Sequence, residues 1–164
     1  MVLIYLFEPT KLDLEKVDKI NAEEVYLIVN KQSGKLIDVQ GASKDNSANI
    51  WQYKYINGDG QKWRAKFVDN KYWEFENVNS GKVIDVEGFG TTDGINISQF
   101  TNSHTMNQQW ELRPFEESFM IINRNSGKVV DVVNHSYIDG ANITQFTGFP
   151  TNNQLWIFYK QKSK

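Results

Sequence analysis

From Val25 onward, short runs of alternating apolar and polar residues, or of three or four branched residues together, are each cut off by a cluster of Asn, Ser, Gly or Asp. Runs of this length with period two, bounded by turn residues, predict strands rather than helices. In the middle of the chain they fall at about Tyr72 to Val78, Lys82 to Val86, Asn96 to Phe100 and Gln109 to Phe115, with Asn79-Ser80-Gly81 and Asp93-Gly94 as turns. Gly suits both turns because it accepts positive φ without steric penalty.

The same four-strand pattern occurs three times. Asn-Ser-Gly-Lys, a branched pair and Asp-Val stand at Asn79 to Val86 and Asn125 to Val132, and Gln32 to Val39 is a close variant. Each copy then passes through Asn-Ile-x-Gln-aromatic and closes on Gln-x-Trp, ending at Trp63, Trp110 and Trp156. Asp to aromatic is 15 residues in every copy (38 to 53, 85 to 100, 131 to 146), and aromatic to Gln is 8. The copies lie 47 and 46 residues apart, and the one extra residue falls between Trp63 and Gly81, at the joint between units. A repeat whose length changes only at its joint is one supersecondary piece used three times.

Twelve such strands predict an all-β domain. A propeller needs about four to eight blades, so three units sharing one apolar centre fit a pseudo-threefold closed barrel better. The Val after each Asp and the Trp of each Gln-x-Trp then belong to the core. The repeats occupy about 24–70, 71–116 and 117–160, in a domain spanning 24–164. Residues 1–23 share nothing with the repeats and are treated as an N-terminal extension, with Lys11 to Glu24 either a short helix or an extended arm.

Composition narrows the function classes. With 164 residues and no Cys the chain is one domain that folds without cross-links or metals. A net charge of −2 with scattered Lys and Arg gives no field for phosphate neutralisation, so nucleic acid is not expected as a partner. Val2 to Phe7 is apolar but too short to span a membrane, and it lacks the basic region of a signal peptide. The expectation is a soluble chain, cytoplasmic or released, without membrane insertion. His104 and His135 are the only histidines and are not at metal-ligand spacing. They read as loop residues within reach of a ligand, and neither a metal nor a cofactor is expected.

Three Gln-x-Trp motifs, each preceded at fixed distance by Gly-Lys-x-x-Asp-Val and an Asn-Ile-x-Gln-aromatic strand, resemble the ricin B-type lectins over about Glu24 to Lys160. The resemblance implies a β-trefoil, in which a six-stranded barrel is capped by three hairpins, with one potential sugar site per unit. It also implies a preference for galactose-type sugars on glycoproteins or glycolipids, and a site in which the residue before the Gln of Gln-x-Trp is an Asn that helps hold the sugar.

The residues themselves divide between fold and site. An indole repeated beside a Gln reads as core, the Gln needing partners once buried. An Asp one residue before a core Val faces the other side of its strand. There it accepts charge-assisted bonds from sugar hydroxyls, or alternatively ties down backbone N–H groups of its own loop. A sugar also presents an apolar C–H face, which a flat aromatic complements. The second site is accordingly Asp85, Phe100, Asn107 and Gln108, and the third is Asp131, Phe146, Asn153 and Gln154. The first, with Asp38, Tyr53, Asn57 and Gln61, ranks lower because Gly60 stands where the Asn would be. Three Asp residues placed by threefold symmetry are too far apart for two-carboxylate hydrolysis, so the chain is read as non-catalytic. The alternative function is a β-trefoil protein-interaction module or inhibitor, acting through Trp51, Trp73, Tyr137 and Phe149.

Overall fold

The computed structural model describes residues 7–164, so Val2 to Leu6 of the apolar N-terminal run lie outside the described residues. Thirteen strands form one connected sheet: β1 (Leu14–Val17), β2 (Val25–Asn30), β3 (Leu36–Val39), β4 (Ile50–Tyr53), β5 (Trp63–Asp69), β6 (Tyr72–Asn77), β7 (Val83–Val86), β8 (Ile97–Phe100), β9 (Trp110–Phe115), β10 (Ser118–Asn123), β11 (Val129–Val132), β12 (Ile143–Phe146) and β13 (Trp156–Gln161). Twelve of them are the repeated strands, with ends within a residue or so of those the pattern predicts. The barrel is closed by the antiparallel circuit β2, β5, β6, β9, β10, β13 and back to β2. Hairpins β3/β4, β7/β8 and β11/β12 cap one end. Six barrel strands and three capping hairpins make a β-trefoil.

The threefold relation extends to single atoms. Trp63, Trp110 and Trp156 are fully buried, and each indole N–H donates to a carbonyl on its own unit's hairpin: Ile37 at 3.0 Å, Ile84 at 3.2 Å and Val130 at 3.1 Å. Val39, Val86 and Val132 share the same core. Each indole withdraws about 200 Å² from water, which at ~25 cal/mol per Å² is roughly 5 kcal/mol of burial. Deep burial therefore demanded a partner for each N–H, and the hairpin carbonyl supplies it.

Two polar sets that recur in the sequence lock the units together. Asn49, Asn96 and Asn142 form a closed ring on the pseudo-axis, Asn49 donating to Asn142 at 2.9 Å, Asn142 to Asn96 at 3.0 Å and Asn96 to Asn49 at 3.0 Å. Gln52, Gln99 and Gln145 are fully buried and donate to carbonyls of the neighbouring unit, at Ser136 and Ile138, Ser43 and Asp45, and Gly90 and Thr92. The turns into each hairpin are held by Asn30, Asn77 and Asn123, whose side-chain oxygens accept the N–H groups two and three residues on. Gly34, Gly81 and Gly127 follow at φ 69 to 72°, the left-handed conformation that only Gly adopts freely.

The extra residue of the first joint is absorbed within the barrel. The β5/β6 register shifts between Phe67 and Asp69, a β-bulge in the longest strand of the chain. The extension resolves into neither alternative alone. Pro9–Leu12 makes one 3₁₀ turn and β1 pairs along β13, burying Leu14 over a small cluster of Leu27, Val29 and Leu36. It adds a thirteenth strand outside the barrel circuit, while every barrel strand lies after it. Among the described residues no helix is long and apolar enough to cross a membrane.

Candidate carbohydrate site

The Asp of each unit is the third residue of a four-residue strand in which every residue is buried, directly before the core Val that ends it. Asp38, Asp85 and Asp131 are only 6 to 7% exposed. In the second unit Asp85 Oδ2 accepts from Asn107 Nδ2 at 3.1 Å and Gln108 Nε2 at 2.9 Å. In the third, Asp131 Oδ2 accepts from Asn153 Nδ2 at 3.2 Å and Gln154 Nε2 at 2.8 Å. The two constructions agree to about 0.1 Å. In both, Oδ1 has no protein partner among the described residues, yet it is not among the solvent-sealed atoms, so it is left to the hollow above it.

The amides beneath the Asp are fully committed. Gln108 accepts from the Ser103 N–H and also donates to the Thr101 carbonyl, while Asn107 accepts from the Thr105 hydroxyl at 2.7 Å and donates to the Val86 carbonyl. Thr151, Phe149, Thr147 and Val132 serve the third unit in the same way. Asn and Gln therefore orient the carboxylate, and Oδ1 is the acceptor left free towards the hollow. The Asp is held by side-chain amides, not by backbone N–H groups of its own loop.

Above these carboxylates lie open hollows of ≈ 500 Å³ in the second unit and ≈ 400 Å³ in the third. Phe100 and Phe146, 38% and 39% exposed, form a wall of each, as their spacing from Asp predicts. Each hollow is completed by the preceding unit, through Ser47 at the second and Gly94 at the third. The two also differ: Glu87 and Phe89 line the second where Val133 and His135 line the third. Ser98 Oγ, beside Asp85 across the β7/β8 pair, is buried without a hydrogen-bond partner among the described residues.

Burial pushes Asp38 up to about 6 even though the Trp51 indole N–H opposes it, and likewise pushes Asp85 up to about 6 against the Gln108 and Asn107 amides, with nearby Glu87 adding to the rise. Asp131 is also raised by burial, against Gln154, His135 and Asn153, which favour its charge.

The first unit is built differently. With Gly60 in place of Asn no side-chain amide arrives from that position, and Gln61 keeps the bonds to the Lys54 carbonyl and the Ile56 N–H that its counterparts also make but donates none to Asp38. Asp38 Oδ2 accepts instead from Trp51 Nε1 at 2.7 Å, and that indole stacks on Tyr53 at 5.4 Å. Asn57, expected beside Asp38, accepts from the Tyr55 hydroxyl and lines a separate hollow next to β1 and β13. A chain that turns at positive φ at Asn57 carries its side chain away from Asp38. The position that decides this difference, Trp51 against Ser98 and Thr144, lies directly across the strand pair from the Asp. Its signal in the sequence was the variable third residue of Asn-Ile-x-Gln.

The model of the ricin-type β-trefoil lectin-like domain matches residues 16–100 and 106–164. The chain belongs to this family. Among solved structures, this lectin-family chain is similar to ThreeFoil, a designed threefold-symmetric protein, at 39% identity and TM-score 0.82, over 83% of this chain and 98% of that one. It is also similar to an exo-β-1,3-galactanase from Clostridium thermocellum at 34% identity and TM-score 0.80, over 84% of this chain but only 30% of the galactanase. The ricin B-like lectin of Macrolepiota procera, solved in complex with lactose, shares the fold at 20% identity and TM-score 0.75, over 85% of this chain and 97% of that one. A comparison with curated protein sequences finds no match.

Proposed function

We propose that this chain is a non-catalytic lectin that holds terminal galactose-type sugars at its second and third units. The observation that carries the reading is the duplicated arrangement around Asp85 and Asp131, each with one oxygen fixed by two amides and the other open beside a half-exposed Phe. A pyranose laid on Phe100 or Phe146 puts its C–H face against the ring and adjacent hydroxyls near Oδ1, where ionised Asp accepts with charge-assisted strength. The likeness to part of a galactanase and the lactose complex of the Macrolepiota lectin support the galactose class. Occurrence of the fold within glycosidases supports a role in holding glycans beside another activity as well as alone.

Each hollow is open, and each hydroxyl contact replaces one already made to water, so a single sugar binds weakly. Two sites on one rigid barrel gain through avidity on a glycan surface. The first unit is read as not contributing, because one Trp51 N–H replaces the two amides that orient Asp85 and Asp131, and that indole, stacked on Tyr53, lines its hollow where the small Ser98 and Thr144 line the others. The alternative of a protein-interaction module has less support than its four aromatics promised. Trp51 is stacked on Tyr53 and Trp73 packs edge-on against Phe67 and the core, leaving Tyr137 and Phe149 exposed. A glycan array tests the choice: the lectin reading predicts signals on glycans ending in galactose or N-acetylgalactosamine, and silence across the array favours the alternative.

A further inference from the structure

The second site rests on a carboxylate that lies outside it. Glu74, on β6, is 3% exposed and has no Lys or Arg partner among the described residues. Its Oε2 accepts from Asn102 Nδ2 at 2.7 Å, while Oε1 lies 3.2 Å from His104 Nδ1 and accepts a longer bond from Gln109 Nε2 at 3.4 Å. All three come from the one segment that carries Ser103, Thr105, Asn107 and Gln108 into the second hollow. The coupling is direct. His104 N–H donates to Asn102, Gln109 donates to the His104 carbonyl, Ser103 N–H donates to Gln108, and Thr105 donates to Asn107.

This clasp is peculiar to one unit. At the positions of Glu74, Asn102, His104 and Gln109 the third unit has Met120, Gly148, Pro150 and Leu155, and the first has Leu27, Tyr55, Asn57 and Lys62. The whole set is polar in the second unit and apolar or small in the third, and a barrel of the same geometry carries both. The fold itself therefore does not require an acid here. A buried carboxylate is costly unless its hydrogen bonds are satisfied, and every donor that satisfies Glu74 belongs to the loop of the sugar site.

We infer that Glu74 is a positioning residue of the second site: it fixes the 102–109 segment, and through it the two amides that orient Asp85, while the third site has no such dependence. The inference rests on the sugar-binding reading above. A site held by a buried hydrogen-bonded clasp and a site held by apolar packing respond separately to changes in that clasp, so the two sites of one molecule are tuned independently.

The test uses Glu74→Met, which installs the residue found at that place in the third unit, and Glu74→Gln, which keeps an acceptor for Asn102. Lactose is titrated in the Asp131→Asn background to read the second site alone, and in the Asp85→Asn background to read the third. Glu74→Met is expected to weaken the second site at least fivefold and leave the third unchanged within twofold, with Glu74→Gln restoring most of the loss. Amide exchange supplies a readout without sugar: the Ser103 and His104 N–H groups exchange about tenfold faster in Glu74→Met, while the Phe149 N–H does not change. Equal effects on both sites, or lactose affinity and exchange unaltered at the second, overturn the inference while leaving the lectin reading intact. A wild type that binds lactose at neither site overturns both.

Discussion

Replacing Asp85 by Asn is expected to move stability and binding in opposite directions. The exchange keeps the shape of the side chain, and its carbonyl oxygen can still accept from Asn107 and Gln108 at the Oδ2 position. The amide group then takes the place of Oδ1, turning the open acceptor into a donor. One charge-assisted bond to a sugar hydroxyl is lost, about 1.5–3 kcal/mol, or roughly 10- to 150-fold in Kd. Stability follows the pKa. Burial raises Asp85 from the ordinary 3.8 to about 6, so ionising it costs the folded state up to about 3 kcal/mol at about 1.36 kcal/mol per pKa unit. That penalty is absent below pH 3.8, grows as the pH rises, and is complete above about 6. Asp85→Asn therefore gains stability at pH 7, up to about 6–12 °C in Tm for a domain of this size, and gains little at pH 4. Thermal melts at the two pH values, paired with lactose titration in the Asp131→Asn background, measure both effects. A variant less stable than wild type at pH 7, or one that still binds lactose at the second site, refutes the reasoning.

Further expectations follow from the same geometry. Lactose affinity at the second site should fall as the pH drops through about 6 and Asp85 protonates, while the melting temperature rises over the same interval; parallel trends would contradict the assignment. Asn96→Ala breaks the axial ring and should cost about 2–3 kcal/mol in urea denaturation, whereas a loss under 0.5 kcal/mol would show the ring to be incidental. Trp51→Ser combined with Gly60→Asn rebuilds the second unit's set around Asp38, since a side chain at Gly60 meets Ala42 and Asp38 only at 3.5 Å, and should add one bound lactose per chain. A chain starting near Ala22 should keep a cooperative melt because every barrel strand remains, at a cost of about 2–4 kcal/mol for the lost cover of Leu14; an unfolded product would place the domain boundary earlier.

The repeat carried most of the fold in plain view. Equal spacings from Asp to aromatic to Gln-x-Trp located the strands, the core Trp and Val residues and the side chains that gather around Asp85 and Asp131, because threefold architecture repeats its demands at fixed intervals. The axial Asn ring and the buried Gln set were equally legible as Asn-Ile-x-Gln, yet nothing in one unit shows that its side chains are satisfied by another. Asn57 shows where inventory fails: it sits near Asp38 in sequence, but a positive φ turns it towards Tyr55. Trp51 could be read as an exposed aromatic until its indole was seen to replace the missing amides. β1 was hidden because a four-residue strand with alternating charge looks the same in a helix or an arm until β13 is present to pair with it.

The central claim is that two of three related units bind sugar, each through its Asp. Calorimetric titration with lactose reads that number directly. The account predicts two equivalents for wild type, one for Asp85→Asn, one for Asp131→Asn, none for the double variant, and two still for Asp38→Asn. Binding that survives in the double variant, or that disappears in Asp38→Asn alone, would contradict it.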